Sequence, residues 1–207
     1  MKKLLVLLLV LFLSSPALAE MDLTPLKTDP DWYAFPQGGT LNTIYRAVNQ
    51  PYIGQTDDAF DGELVAYVDF ITLVDRDVTL LRLMASTEMF GLPLGADQLR
   101  LTVAGKRYAF SVSREESEYD GLYMEDYTTC LVGEGLTMLK AIAQQKKDHP
   151  IAVELLAEGS VVFTGQVIIP GEEAAAIYDR FIDMGGKKQS LKALEEQFPC
   201  KVEKIKR

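Results

Sequence analysis

The sequence predicts an α+β fold: an antiparallel β-sheet or flattened sandwich of about five to seven strands, with helices packed on one face and two helices at the C-terminus. Paired stretches that alternate apolar and polar residues, with short glycine-containing turns between them, favour antiparallel hairpins. Apolar residues at helical spacing occur in a few stretches, mostly near the C-terminus. Strands and helices do not alternate regularly, so a parallel sheet is not expected.

Residues 1–19 have the features of a secretory signal peptide. Lys2-Lys3 forms a basic start, Leu4–Leu13 is an unbroken apolar run, and Ala17-Leu18-Ala19 offers small residues for cleavage. The apolar run is too short to cross a bilayer as a helix, which takes about 20 residues. We therefore expect cleavage after Ala19, a secreted or periplasmic protein, and no stable membrane insertion once the signal is removed.

The charge of the chain restricts its partners. The formal net charge is −9, and it becomes more negative when the two lysines of the signal peptide are removed. A strongly acidic chain repels the phosphates of nucleic acids, so nucleic acid is not an expected partner. The partner that remains is an unknown protein, peptide or glycan.

Residues 20–62 are interpreted as an irregular, aromatic-rich lead-in to the domain. They hold four prolines and show no sustained period. Trp32, Tyr33 and Phe35 are the candidate ligand-binding residues, because neighbouring aromatic rings can stack against a sugar or a peptide. The alternative is that these rings cover the edge of the core. A short helix around Leu41–Val48 is the one regular element considered in this segment.

Residues 63–207 are expected to form a single α+β domain that opens with two hairpins. The stretches 63–73 and 78–87 are rich in β-branched and aromatic residues, and the turn between them is polar. In residues 98–113 apolar and polar residues alternate on both sides of Ala104-Gly105-Lys106, where glycine provides the positive φ of a tight turn. Residues 122–132 are interpreted as a further strand.

The second half of the domain combines helices with one more hairpin. An apolar face within residues 136–146 predicts a helix that ends before His149-Pro150. The stretch 151–169 has the pattern of a hairpin. Residues 170–186 and 190–199 then predict two C-terminal helices, each with a proline or a serine suited to its first turn.

The two cysteines are predicted to form a disulfide bond. Outside a reducing cytoplasm thiols tend to pair, and the chain has only Cys130, in a strand-like stretch, and Cys200, in the tail. The bond would close a loop of about 70 residues, with a chain-entropy contribution on the order of 4 kcal/mol. It would hold the last helix against a central strand. The alternative is a buried Cys130 that acts as a small hydrophobe and an exposed Cys200.

Motifs that would identify an enzyme, a cofactor or a metal are missing from the sequence. There is no nucleophile elbow, phosphate-binding loop, dinucleotide fingerprint or zinc-protease motif, and the only histidine, His149, lies in a polar turn. No cofactor and no catalytic residue are predicted. Asp57, Asp58 and Asp61 are weak candidates for calcium, but their spacing does not match an EF-hand loop.

The leading functional interpretation is an exported, non-catalytic protein that binds a ligand, takes part in assembly or associates with the cell envelope. An enzyme is the less favoured class. The first alternative is a carboxylate-dependent hydrolase acting on cell-wall or polysaccharide substrates, whose candidate residues are Asp57, Asp61, Glu116 and Glu118. The second alternative is a regulator or inhibitor that docks on a partner protein through a sheet edge or the aromatic lead-in.

Overall fold

The computed structural model describes residues 21–38, 40–56, 62–73, 78–145, 147–186 and 192–204. Within these residues the chain forms a single antiparallel sheet of twelve strands that curls into a half-barrel, together with four short helices. The predicted fold class, a flattened α+β sheet or sandwich of five to seven strands with two C-terminal helices, is therefore wrong. The signal-peptide segment and Asp57, Asp58 and Asp61 lie outside the described residues.

The elements follow one another in this order. The strands are β1 (Trp32–Pro36), β2 (Thr43–Ala47), β3 (Tyr52–Thr56), β4 (Gly62–Leu73), β5 (Val78–Phe90), β6 (Gln98–Val103), β7 (Lys106–Ser111), β8 (Ser113–Tyr119), β9 (Leu122–Cys130), β10 (Ile151–Ala157), β11 (Ser160–Val167) and β12 (Cys200–Lys204). The helices are α1 (Thr24–Thr28), α2 (Glu134–Ala143), α3 (Gly171–Asp183) and α4 (Lys192–Gln197).

The sheet forks at the long strand β4. Its strand order is β12-β7-β6-β10-β11-β3-β4-β5-β9-β8, and β2 with β1 attached to it also pairs with β4. β3 pairs with residues 65–66 of β4, β2 pairs with residues 70–72, and β5 occupies the other edge over the full length of β4. The two branches therefore share one edge of β4 and leave a gap between them.

A glutamine side chain fills the gap at the fork. Val68 lies between the two paired segments and is buried, so its backbone groups need partners. The carboxamide of Gln50 supplies both: its Oε1 accepts a hydrogen bond from the Val68 N–H at 2.8 Å, and its Nε2 donates to the Val68 carbonyl at 2.5 Å. Gln50 thus takes the place of a strand residue and completes the hydrogen bonding of β4.

The main core fills the first face of the curled sheet, on which α2 and α3 pack. Both helices carry apolar residues at spacings of three and four, and α3 also starts with two glutamates, which suit the positive end of the helix dipole. The core residues of the central strands and the two helices are Leu64, Ala66, Val68, Phe70, Leu81, Leu83, Ala85, Met138, Leu139, Ile142, Ala174, Ile177 and Phe181.

The second face of β4 and β5 is covered only in part by the described residues. At one end a smaller cluster of Ile44, Ile71, Val78, Leu80, Cys130, Val132 and Leu194 packs beneath α4. Beyond this cluster the same face carries polar and charged side chains, among them Asp69 and Arg82, and it opens into a cleft.

Several local predictions agree with the structure. Hairpins form between β4 and β5, between β6 and β7, and between β10 and β11. Ala104 and Gly105 adopt φ values of 49° and 74° at the β6–β7 turn, so the turn does require the left-handed region there. The helices predicted within 136–146 and 170–186 correspond to α2 and α3.

The ends of the chain differ most from expectation. Residues 20–62, interpreted as an irregular lead-in, contribute α1 and the strands β1 to β3, and the helix considered at Leu41–Val48 is strand β2. Tyr45 faces the main core while Ile44 faces the smaller cluster, so both sides of this strand are buried and the alternation is hidden. At the other end, strand β12 follows α4 and pairs with β7.

The fork generates a stability prediction. Changing Gln50→Ala leaves the N–H and the carbonyl of Val68 buried without partners, and each such group costs about 1–3 kcal/mol. We expect the free energy of unfolding, measured by urea denaturation, to fall by about 3 kcal/mol. Gln55→Ala, in an exposed part of β3, is the matched control and should change it by less than about 0.5 kcal/mol. Equal losses in the two variants would contradict the bridging role of Gln50.

Candidate functional site

The second face of the sheet contains a cleft of about 490 Å³. Its floor is formed by β4, β5 and β9, one wall by β1 with the turn after it, and the other wall by strand β8. A hydrogen bond from Gln37 Nε2 to Glu115 Oε1, at 3.4 Å, connects the two walls. This volume lies within the range of about 300–1,000 Å³ that is usual for small-molecule sites.

A buried ionic cluster forms the centre of the floor. Asp69 of β4 lies directly opposite Arg82 of β5, and Arg82 donates Nε–H to Oδ1 at 2.7 Å and Nη2–H to Oδ2 at 2.6 Å. Arg46 of β2 donates Nε–H to the same Oδ2 at 2.9 Å, and its Nη2 forms an ion pair with that oxygen, also at 2.9 Å. Three neighbouring strands therefore meet through one carboxylate.

This cluster is unusual because it buries three charged side chains together. The Asp69 side chain is fully buried, the Arg82 side chain is 4% exposed and the Arg46 side chain is 12% exposed. A buried carboxylate is tolerated only when charged donors replace its lost water, and Arg82 does so with a bidentate pair. A second guanidinium on the same carboxylate leaves one positive charge without an equal counter-charge. That surplus lies at Arg46, the more exposed of the two arginines.

Aromatic rings hold the Arg46 guanidinium in place. Its Cζ lies 3.8 Å from the centroid of the Tyr67 ring and 5.1 Å from that of Phe35. Cation–π contacts of this kind contribute about 0.5–2 kcal/mol. Burial raises the pKa of the Tyr67 hydroxyl, in spite of the opposing effect of Arg46, so this hydroxyl stays protonated and available as a donor.

The opposite side of the cleft is acidic. Asp126 of β9 lies opposite Ser86 of β5 and opposite Glu115 of β8, so the two carboxylates are cross-strand neighbours on the same face. Directly opposed residues have Cβ atoms about 5 Å apart, and like charges at that distance repel. The cleft thus has a positive pole at Arg46 and a negative pole at Glu115 and Asp126.

The structure separates the three aromatic residues predicted to bind a ligand. Trp32 packs on Phe70, with ring centroids 5.3 Å apart and planes at 52°, and therefore covers the main core. Tyr33 and Phe35 project to the other face of β1, where their rings stack at 5.5 Å. Phe35 lines the cleft, so this part of the lead-in does contribute to the candidate site.

Of the carboxylates considered for hydrolysis or calcium binding, the described residues place only Glu116 in the lining of the cleft. Glu116 and Glu118 lie on the exposed strand β8, where Glu116 is 3.7 Å from Arg114 and Glu118 accepts a hydrogen bond from the backbone of Gly121. No group of three or more His, Cys, Asp or Glu side chains in the described part of the chain could hold a metal ion. Asp57, Asp58 and Asp61 lie outside that part.

The predicted disulfide between Cys130 and Cys200 is not formed in the structure. The two thiols pack against different clusters: Cys130 belongs to the smaller cluster under α4, whereas Cys200, at the start of β12, packs against the main core. Burial, together with the nearby Glu134 charge, raises the pKa of Cys200 to about 12. This thiol is therefore protonated at neutral pH and is a poor nucleophile.

A second buried carboxylate has a structural role. Glu125 is 2% exposed and accepts hydrogen bonds from the backbone N–H groups of Leu94 at 2.5 Å and Gly95 at 3.1 Å. Arg114 Nη1 lies 3.4 Å from the same carboxylate. Glu125 therefore fastens the loop between β5 and β6 to the sheet and is not part of the cleft.

The central residues of the cleft were missed by reasoning from the sequence. Asp69 and Arg82 are single charges inside the apolar stretches 63–73 and 78–87, which is unusual for buried strands. The hairpin predicted from those stretches already places the two residues opposite each other. A charge pair at matching positions of a predicted hairpin was the available signal. Arg46 carried no such signal, because β2 was not recognised as a strand.

Comparisons with protein-family models, with curated proteins and with solved structures found no match to this chain. The helices that the structure describes include none long and apolar enough to cross a membrane. A functional assignment must therefore come from the geometry and the charges of the cleft.

The ionic cluster generates a second stability prediction. Changing Asp69→Asn leaves Arg82 buried without a counter-charge, and breaking a buried pair in this way costs about 3–5 kcal/mol. We expect chemical denaturation to show a loss of that size. Asp126→Asn, a partly exposed aspartate of the same cleft, is the control and should cost less than about 0.5 kcal/mol.

An apolar replacement of the cluster separates the roles of charge and packing. The triple variant Asp69→Leu with Arg82→Met and Arg46→Met should recover most of the loss, because no charge of the cluster then remains buried alone. If Asp69→Asn were no more destabilising than Asp126→Asn, the cluster would not be holding β2, β4 and β5 together.

Proposed function

We propose that the chain is an exported, non-catalytic binding protein that takes up a small polar ligand in the cleft between β1 and β8. The observation that carries the proposal is the Arg46 guanidinium, whose charge is only partly balanced and which lines a cleft of ligand size. Carboxylates stand on the facing side of the same cleft. A few convergent charged groups in a concave, mixed surface are the usual features of a ligand site.

Preorganisation supports the binding role. A hydrogen bond and an ion pair to Asp69, together with two aromatic rings, fix the Arg46 guanidinium before any ligand arrives. A side chain that is already fixed loses little conformational entropy on binding, so more of its interaction with a ligand appears as affinity. Met84 and Met124 add adaptable apolar surface beside it.

The proposal includes export because residues 1–19 have the features of a secretory signal peptide. A secreted or periplasmic protein of this kind meets peptides, glycans and small solutes of the cell envelope. Its charge disfavours nucleic acids as ligands. The cleft, which carries both signs of charge, suits a small polar ligand better than an extended polyanion.

One observation favours the hydrolase alternative. Glu115 and Asp126 face the same cleft, and paired carboxylates can perform acid–base hydrolysis of glycans. Such a pair needs one carboxyl group that its environment keeps protonated, usually by burial in an apolar pocket. Glu115 is exposed to solvent on strand β8, which does not supply that environment. Binding without catalysis is therefore the better-supported function.

A different observation favours the regulator alternative. Phe90, Leu92 and Tyr119 are 66%, 81% and 79% exposed. Phe90 and Tyr119 both lie opposite Leu122, so they share one end of the sheet. Exposed apolar residues gathered in one place are a feature of docking surfaces. This end lies outside the cleft, so docking there would accompany ligand binding and need not replace it.

Native mass spectrometry of protein recovered from the exported fraction of the producing cells tests the proposal. We expect a chain that begins at Glu20 and that carries, or takes up from the small-molecule fraction of the same cells, a non-covalent ligand. Changing Ser86→Trp fills the floor of the cleft and should abolish uptake. Thr102→Trp, on the polar face of β6, is the control and should retain it.

The proposal fails if the wild-type protein takes up no small molecule, or if Ser86→Trp takes up the same molecule to the same extent. A recovered chain that still begins at Met1 would contradict export. Circular dichroism of both tryptophan variants shows whether they keep the β-sheet content of the wild-type protein.

A further inference from the structure

We infer that the ligand of the cleft is a zwitterion of short-peptide size, whose carboxylate pairs with Arg46 and whose ammonium group lies against Glu115 and Asp126. The inference rests on the proposed function and adds the chemical class of the ligand. The charge balance of the floor, the two carboxylates of the facing side and the distance between these poles support it.

The positive pole carries one charge that is only partly neutralised. Arg82 and Asp69 form a bidentate pair that uses both carboxylate oxygens, so their charges balance each other. Arg46 shares Oδ2 with Arg82 and therefore has only part of a counter-charge. Its guanidinium is the more exposed of the two and lines the cleft. A ligand carboxylate is the planar group that a guanidinium binds best through paired hydrogen bonds.

The negative pole lacks a cation among the described residues. Glu115 accepts a hydrogen bond from the neutral amide of Gln37, and Asp126 has no described lysine, arginine or histidine within ion-pair distance. The two carboxylates stand opposite each other on adjacent strands and repel. An ammonium group placed between them would relieve that repulsion and form charge-assisted hydrogen bonds with both.

The distance between the poles sets the size of the ligand. The Arg46 guanidinium lies over Tyr67 of β4, which is opposite Met84 of β5, whereas Asp126 of β9 is opposite Ser86. The backbone positions of Tyr67 and Asp126 are thus two strands and two residues apart, or about 12 Å. The Asp126 side chain extends from β9 into the cleft, so the gap between the charged groups is shorter than this backbone distance. A fully extended chain spans about 3.3–3.6 Å per residue, so a tripeptide has about the required length between its termini. A single free amino acid is too short to reach both poles.

A ligand of one sign is disfavoured by the same groups. A simple anion that approaches Arg46 also enters the field of Glu115 and Asp126. A simple cation at those carboxylates enters the field of the two guanidiniums. Like-charge juxtaposition of this kind costs binding energy and excludes the wrong partner. Only a molecule that carries both charges at the right spacing is attracted at both ends of the cleft.

Isothermal titration calorimetry with three forms of one peptide series tests the inference. The probes are mixed-sequence tripeptides with both termini free, the same tripeptides N-acetylated, and the same tripeptides C-amidated. The protein used in these titrations is the chain that begins at Glu20. We expect the free tripeptides to bind and either terminal cap to weaken binding at least tenfold, because each cap removes the charge that one pole recognises.

Matched variants assign each cap to its pole. Arg46→Gln should abolish the penalty for the C-terminal amide and keep the penalty for N-acetylation, and the double variant Glu115→Gln with Asp126→Asn should do the reverse. Arg46→Gln leaves the Asp69–Arg82 pair intact, so we expect it to fold. Arg107→Gln, whose arginine lies near Glu154 and Glu203 on the other half of the sheet, is the control and should keep both penalties.

The outcomes separate this inference from the proposed function. If native mass spectrometry finds a ligand in the cleft and no free tripeptide binds, or capped and free tripeptides bind equally, the zwitterion assignment is overturned while the binding function stands. If acetate or phosphate alone binds as tightly as the tripeptides, the assignment is overturned in favour of a simple anion. If the wild-type protein takes up neither extract molecules nor tripeptides, both proposals fall.

Discussion

The buried carboxylate of Asp69 is the constraint on which the rest of the structure depends. It lies in the central strand of the sheet, fully out of water, where burying a carboxylate is costly without charged donors. Arg82 and Arg46 supply them from the strands on either side, which binds β2, β4 and β5 into one unit. The second face of these strands is consequently polar at its centre. A second apolar layer, as in a β-sandwich, does not pack on it, and the face lines a cleft instead.

The fork at β4 explains how this polar face comes to be enclosed. Because β2 and β3 share one edge of β4, the branch that carries β1 diverges from the branch that continues through β11. The carboxamide of Gln50 keeps the edge of β4 satisfied where the branches separate. The β1 branch then faces β8, and the hydrogen bond between Gln37 and Glu115 connects the two walls over the ionic floor.

Much of the local structure could be predicted from the sequence, and most of the site could not. The hairpins β6–β7 and β10–β11 and the helices α2 and α3 could be predicted because each has a polar face, which leaves a regular spacing of apolar residues such as Leu99, Leu101 and Val103. Strand β2 is buried on both sides, and β12 is short and follows a helix, so neither shows that period. The predicted fold class was wrong for this reason: the strands that were not predicted include β2, through which the sheet forks at β4.

The site also depends on contacts that no single segment contains. Asp69 and Arg82 could have been paired from their hairpin, but Arg46 joins them only through the unpredicted strand β2. The cysteines illustrate the opposite error, since export made a disulfide reasonable, whereas the structure packs Cys130 and Cys200 against different clusters. The composition shows that two cysteines are present, but only the fold determines whether their thiols are close enough to bond.

The most direct test of the central claim, that the cleft over Asp69 is the ligand site, uses the methionine methyl groups as reporters. Met84 and Met124 line the cleft, whereas Met138 and Met184 are buried in the main core at 1% and 2% exposure. Carbon-13 methyl NMR should follow titration of the labelled protein with the small-molecule extract of the producing cells. We expect the Met84 and Met124 signals to shift while Met138 and Met184 stay in place. Shifts confined to the core methionines, or none at all, would contradict the assignment of the cleft.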